Sequence, residues 1–142
     1  MALTVTATAV IASAAAQRNF GTAGGSITAG QPVAIQADLT IVAANGQAGS
    51  AILPIVAGIA EHGAASGQRI NYITRDPALI HGITASEIAP GQPVYLDDTA
   101  GGMTVTYSDL DAADYSTVLG QINNPETTMN FAPQTPVVKA AS

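Results

Sequence analysis

The chain has 142 residues, a net charge of −6, no cysteine and no Trp, and only 10% of its residues are charged. That length fits one domain with a real core, and the lack of cysteine excludes disulfides, thiolate metal sites and a Cys nucleophile. The four basic residues, Arg18, Arg69, Arg75 and Lys139, are scattered along the chain, which argues against nucleic acid gripped through its phosphates and against a membrane held by a basic face. No apolar run reaches the length of a membrane helix. The Ala/Thr-rich start lacks the basic segment of a signal peptide. With so little charge the surface is left to Thr, Ser, Gln, Asn and Gly, poorly protected against association, so much of it is expected to be covered by other chains.

Taken in order, residues 2–10 alternate in period two with Thr, the pattern of an extended strand or arm. Residues 11–17 are Ala-rich and could form a helical turn with little to bury. Residues 1–20 therefore read as an arm that is stable only when packed on a neighbour, and Gly21–Gly25 as a flexible joint. No Lys-Ser/Thr follows those glycines, so they do not form a phosphate cradle. Strands are predicted at Val33–Ala37 and Leu39–Ala43, with Asn45-Gly46 as a hairpin turn. Further strands are predicted at Ile55–Ala60 and Arg69–Ile73, with Ile70 and Tyr72 facing away from Asn71 and Ile73. Asp76–Glu87 is the least β-like part: Asp76 could cap a short helix with Pro77 at its first position and Gly82 at its end, or the segment could be a loop. Strands follow at Pro93–Leu96, Met103–Tyr107, Tyr115–Ile122 and Thr127–Phe131, separated by turns at 97–102, 109–114 and 123–125. Pro133 and Pro136 make residues 132–142 an extended tail.

One phrase recurs. Ile88-Ala-Pro-Gly-Gln-Pro-Val-Tyr-Leu96 repeats Ile27-Thr-Ala-Gly-Gln-Pro-Val-Ala-Ile35, and Ala65-Ser-Gly-Gln-Arg-Ile-Asn-Tyr72 is a looser copy. Pro-Gly and Ala-Gly supply turn chemistry, a Pro at the mouth of a strand loses no ladder bond, and β-branched and aromatic residues then fill the strand. Val56-Ala-Gly58 matches Val118-Leu-Gly120 in the same way. Two copies of strand, hairpin and strand point to a duplicated, pseudo-symmetric small barrel or sandwich.

No chemistry-bearing constellation stands out. His62 and His81 lack the close partners of a metal site. Asp98-Thr99-Ala100-Gly101 resembles an aspartic-protease signature but has Ala in the third place, and a turn explains it locally. Asp97, Asp98, Asp109, Asp111 and Asp114 lie in polar turns, not in the apolar pocket that a glycosidase acid needs. Asp109-x-Asp111-x-x-Asp114 lacks the Gly and Glu of a calcium loop. No Ser sits in a nucleophile elbow. The reading assigns no catalytic, cofactor-binding or metal residues, no cofactor and no enzyme activity.

The order of the motifs carries a resemblance. Ile27–Ile35, then Val56-Ala-Gly-Ile-Ala-Glu-His-Gly-Ala-Ala-Ser-Gly-Gln-Arg-Ile70, then Ile88-Ala-Pro-Gly-Gln-Pro-Val-Tyr-Leu-Asp-Asp-Thr-Ala-Gly-Gly102, then Asp114-Tyr-Ser-Thr-Val-Leu-Gly-Gln-Ile122 resemble the capsid-decorating, or head cement, proteins of tailed bacteriophages. The likeness covers roughly residues 26–122. It implies a small β-barrel, often trimeric, seated on the outer surface of the capsid and bound to the major capsid protein, where it stabilises the icosahedral shell. The expected architecture is all-β: a small β-barrel or sandwich with an internal duplication, an N-terminal arm and joint (1–25), a body (26–131) and a Pro-rich tail (132–142). The expected partners are the major capsid protein and other copies of the chain as a trimer, with no nucleic acid and no membrane. The alternative is a β-sandwich binding module, a carbohydrate or host-surface knob on a virion, which would stack sugars on exposed aromatics.

Overall fold

Three turns of one build set up the framework. In Thr28–Gln31, Ala65–Gln68 and Ala89–Gln92 the third residue is a Gly with φ of +88°, +87° and +87°. The N–H of the fourth residue, Gln, closes each turn onto the carbonyl of the first at 3.2, 3.0 and 3.3 Å. This is type II geometry, which needs φ > 0 at the third position. Each Gln side chain then folds back, and its Oε1 accepts the N–H of the turn's first residue at 3.0, 2.8 and 2.8 Å. Each Gly N–H also donates to a neighbouring segment, at Ala60, Ala23 and Ile122. A strand starts directly after every Gln.

The computed structural model describes residues 2–46, 53–107, 110 and 114–138. Their strands are β1 (Gln17–Thr22), β2 (Pro32–Ile35), β3 (Ile41–Ala43), β4 (Gly58–Ala60), β5 (Arg69–Ile80), β6 (Pro93–Leu96), β7 (Met103–Thr104), β8 (Tyr115–Ser116), β9 (Val118–Ile122), β10 (Thr128–Phe131) and β11 (Val137–Val138). The main sheet is antiparallel, runs β3-β2-β4-β5-β10-β9-β6-β7, and curls into a half-barrel. β1 adds to β5, and β11 pairs with β8.

The strand order is a palindrome about the β5–β10 contact, which confirms the duplication. β2, β3, β4 and β5 correspond to β6, β7, β9 and β10. Val33 pairs with Gly58 as Val94 pairs with Gly120. Both glycines are demanded by sterics: a Cβ at Gly58 would collide with the Ile73 carbonyl, and one at Gly120 with the Asn130 carbonyl. In the first half β1 leaves β5 and bridges Ile41 of β3 at Ala23. The strands β1, β5, β4, β2 and β3 thus close around Ala23, Ile27, Val33, Ile41, Ala60, Ile70 and Tyr72. Ala34, Ile59 and Ile73 belong instead to the larger core, with Val94, Leu96, Leu119, Met129 and Phe131 of the second half. Ile70 and Tyr72 thus lie opposite Ile73, as the alternation predicts.

Several expectations are corrected. The stretch expected as an arm packs on the chain's own sheet. Leu3 N–H donates to the Met103 carbonyl (2.7 Å), Thr6 N–H to Gly82 (2.8 Å), and Ile11 and Ile80 exchange two bonds of 3.0 Å. Val10 is part of the core, and the expected joint begins inside β1. Small Ala and Thr side chains let this backbone lie close to the sheet, so no bulky stripe is needed.

The segment from Asp76, expected as a short helix or a loop, runs on as strand to Ile80, the second half of β5. Asp76 does accept backbone donors as a cap would, but from Ser13 N–H (2.8 Å) and Ala78 N–H (3.0 Å) as well as the Ser13 hydroxyl. Pro77 falls where the register with β10 shifts, between Phe131↔Asp76 and Met129↔Leu79, a place where its missing N–H costs nothing. The hairpin expected at Asn45-Gly46 runs on into residues that lie outside the described ones. Gly46 N–H donates to Asp97 (3.1 Å), its carbonyl accepts Tyr115 N–H (2.8 Å), and Gly101 N–H donates to Ala44 (2.7 Å). These bonds tie the two ends of the sheet together. The strand expected at Met103–Tyr107 stops at Thr104, and the one at 115–122 breaks at Thr117, whose hydroxyl donates to Pro54 (2.8 Å). The tail continues the sheet, with Ala132 N–H on Leu119 and Gln134 N–H on Val118, both 2.9 Å.

Candidate functional site

Among the described residues, both histidines and Asp76 have structural work. His62 Nε2 accepts Asn71 N–H (3.1 Å), and Nδ1 lies 2.9 Å from the Gly63 carbonyl. His81 is 1% exposed. Its Nδ1 accepts Ile83 N–H (2.9 Å) and its Nε2 donates to the Glu126 carbonyl (2.6 Å). With one nitrogen accepting and the other donating, His81 is the neutral tautomer. Burial lowers its pKa, partly offset by the Glu126 bond. Neither ring leaves a nitrogen open to a metal. Among the described residues no three His, Asp or Glu gather. Asp76 holds Ser13 and the β5 irregularity. Asp98-Thr99-Ala100-Gly101 is the β6–β7 turn, closed by Gly102 N–H on Thr99 (2.9 Å), and Asp97 and Asp114 are buried. Asp109 and Asp111 lie outside the described residues.

What remains is surface. Phe20 is 60% exposed and Leu39, at the β2–β3 turn, 77%. Leu39 is held at φ +70°, a conformation that costs a non-glycine residue about 1–2 kcal/mol. The turn is braced by Asp38, whose Oδ1 accepts Thr40 N–H (3.0 Å) and its hydroxyl (2.6 Å); these bonds lower the Asp38 pKa. Ile55, Val56, Pro133 and Pro136 line a shallow apolar depression beside the tail. On the β1–β5 pair, Arg18 Nε meets Glu61 Oε2 at 2.6 Å and Arg69 stacks 4.0 Å over the Phe20 ring. Sequence reasoning missed this last grouping, because residues 18–20 and 69–75 meet only through strand pairing.

A family model, phage cement protein, matches residues 18–131. The chain belongs to the phage cement protein family. No curated protein and no solved structure matches it significantly. The match runs from β1 to the end of β10, so it takes in the whole curled sheet of this cement protein and both halves of its duplication. As a family member the cement protein is a structural component of a phage virion, and its partner, in general terms, is a capsid protein.

Proposed function

We propose that this cement protein decorates the outer surface of an icosahedral phage capsid, bound to the lattice of the major capsid protein, and stabilises the shell. The family match over residues 18–131 carries the reading. The surface supports it: sparse charge, projecting Phe20 and Leu39, and an apolar depression beside the tail suit a module covered by other chains. The chain acts as a homo-oligomer, and a trimer gives the closed rotational symmetry usual for such modules. Nucleic acid and membrane have no part in the reading. Purified protein added to undecorated shells of the cognate phage should co-sediment with them and raise the temperature at which they disrupt, read by calorimetry and electron microscopy. No binding to those shells overturns the proposal, and native mass spectrometry of the free protein decides the trimer.

A further inference from the structure

We propose that His81 is a proton-operated latch on the N-terminal segment: when its ring takes up a second proton, residues 3–11 leave the sheet while the curled body stays folded. The coupling runs through one peptide unit. The Ile83 N–H donates to His81 Nδ1 (2.9 Å). The carbonyl of that same planar unit, on Gly82, accepts the Thr6 N–H (2.8 Å). The unit cannot turn away from the ring and keep its bond to the segment. Only the neutral ring fits this arrangement. A charged ring donates from both nitrogens. His81 Nε2 already donates to the Glu126 carbonyl (2.6 Å), so the added proton falls on Nδ1 and points at the Ile83 N–H. A flip of the ring brings no relief, because the charged ring has no acceptor. Gly82 allows the unit to swing: its φ is +73°, in the region open to glycine. The segment lies close against it, since a Cβ at Gly82 would stand 2.6 Å from the Thr6 carbonyl.

The segment that opens is the one laid over the ring. Thr6 and Ala9 line the cavity that holds His81, together with Ile80 of β5, Thr84 and Thr127 of the β9–β10 loop. Apart from the ring itself, no titratable residue among the described ones lines it, and Glu126 meets the ring through its backbone carbonyl. Nothing there answers a positive charge, so a buried imidazolium gains by reaching water. The nearest route to water is to lift the covering segment, a local opening that leaves the rest of the sheet paired. Ser13 marks the end of the released stretch, because its bonds to Asp76 do not involve the ring. The Thr4 N–H donates to the Glu87 carboxylate (3.0 Å), so Glu87 is the other titratable group in contact with the segment. Burial lowers the ring's pKa from 6.5 in the closed state. Opening is therefore favoured as pH falls below 6.5, by at most about tenfold per pH unit.

Hydrogen exchange of the full chain, followed by NMR from pH 7 to pH 5 and corrected for the intrinsic pH dependence of exchange, tests the latch. The Thr6 and Ile11 amides should lose about tenfold in protection as the His81 ring nitrogens report protonation. The Ala60 and Ala132 amides, bonded to Gln31 and Leu119 within the body, should keep theirs. His81→Asn offers an oxygen to the Ile83 N–H but takes up no proton, and should hold Thr6 protection constant over this range. Glu87→Gln should leave the wild-type loss in place. Thr6 protection unchanged down to pH 5 in the wild type overturns the inference, and so does an equal loss at all four amides. A pH response that survives in His81→Asn or vanishes in Glu87→Gln also overturns it. If His81→Asn does not fold, the wild-type ring titration set against the Thr6 and Ala60 amides still decides.

Discussion

Asp76 and His81 show how much of this fold rests on buried polar residues with complete sets of partners. Asp76, fully buried, accepts from Ser13 and Ala78 and so fastens the N-terminal segment to the β5 irregularity. Asp76→Ala should destabilise the protein by about 3 kcal/mol, since it strands several donors that a charged acceptor had satisfied; urea denaturation reads this directly. His81 makes a prediction about pH. Its folded pKa lies below the usual 6.5 because burial opposes the charged ring. The unfolded chain therefore binds a proton that the folded chain refuses, so the contribution is full above pH 6.5 and is lost as pH falls below it. The urea midpoint should drop between pH 7 and pH 5, and the drop should shrink in His81→Gln. The sequence shows both residues but not their roles. Asp76 before Pro77 has the local signature of a helix cap, and only Ser13, sixty-three positions away, reveals what it holds.

The turn-and-strand phrase was legible in sequence because its physics is local. Gly sits where φ must be positive, Gln folds back on its own turn, and Pro or Arg opens the strand. A Cβ at Gly91 meets nothing within 4 Å, so Gly91→Ala should cost about 1 kcal/mol, the strain of the left-handed conformation alone. Gly120→Ala should cost several times more, because its Cβ would enter the Asn130 carbonyl and part β9 from β10. Thermal midpoints of the two variants check the ranking. The N-terminal element was illegible for the opposite reason. Nothing local in an Ala/Thr run says which surface it will cover; the bonds to Gly82, Ile80 and Met103 do. Deletion of residues 2–16, which removes Val10 from the core and Ser13 from Asp76, should lower the thermal midpoint by many degrees. An unchanged midpoint would return the segment to the status of a free arm.

At the scale of the molecule, the two halves share one core and one long strand, since β5 pairs with β1 and β4 near its start and with β10 near its end. The halves should therefore unfold together, as a single calorimetric transition with matching calorimetric and van't Hoff enthalpies; two resolved transitions would contradict the shared core. By itself the sequence determined the all-β class, the duplicated turn-and-strand unit and the family resemblance, because these reside in φ preferences, period-two alternation and motif order, all short-range. Only the tertiary structure decided where the N-terminus lies, that residues 76–80 are strand, that Gly46 is bonded to the far end of the sheet, and that Arg18 meets Glu61 and Arg69 meets Phe20 across the β1–β5 pair. Each of these depends on strand pairings between residues tens of positions apart, whose partners the local sequence does not name.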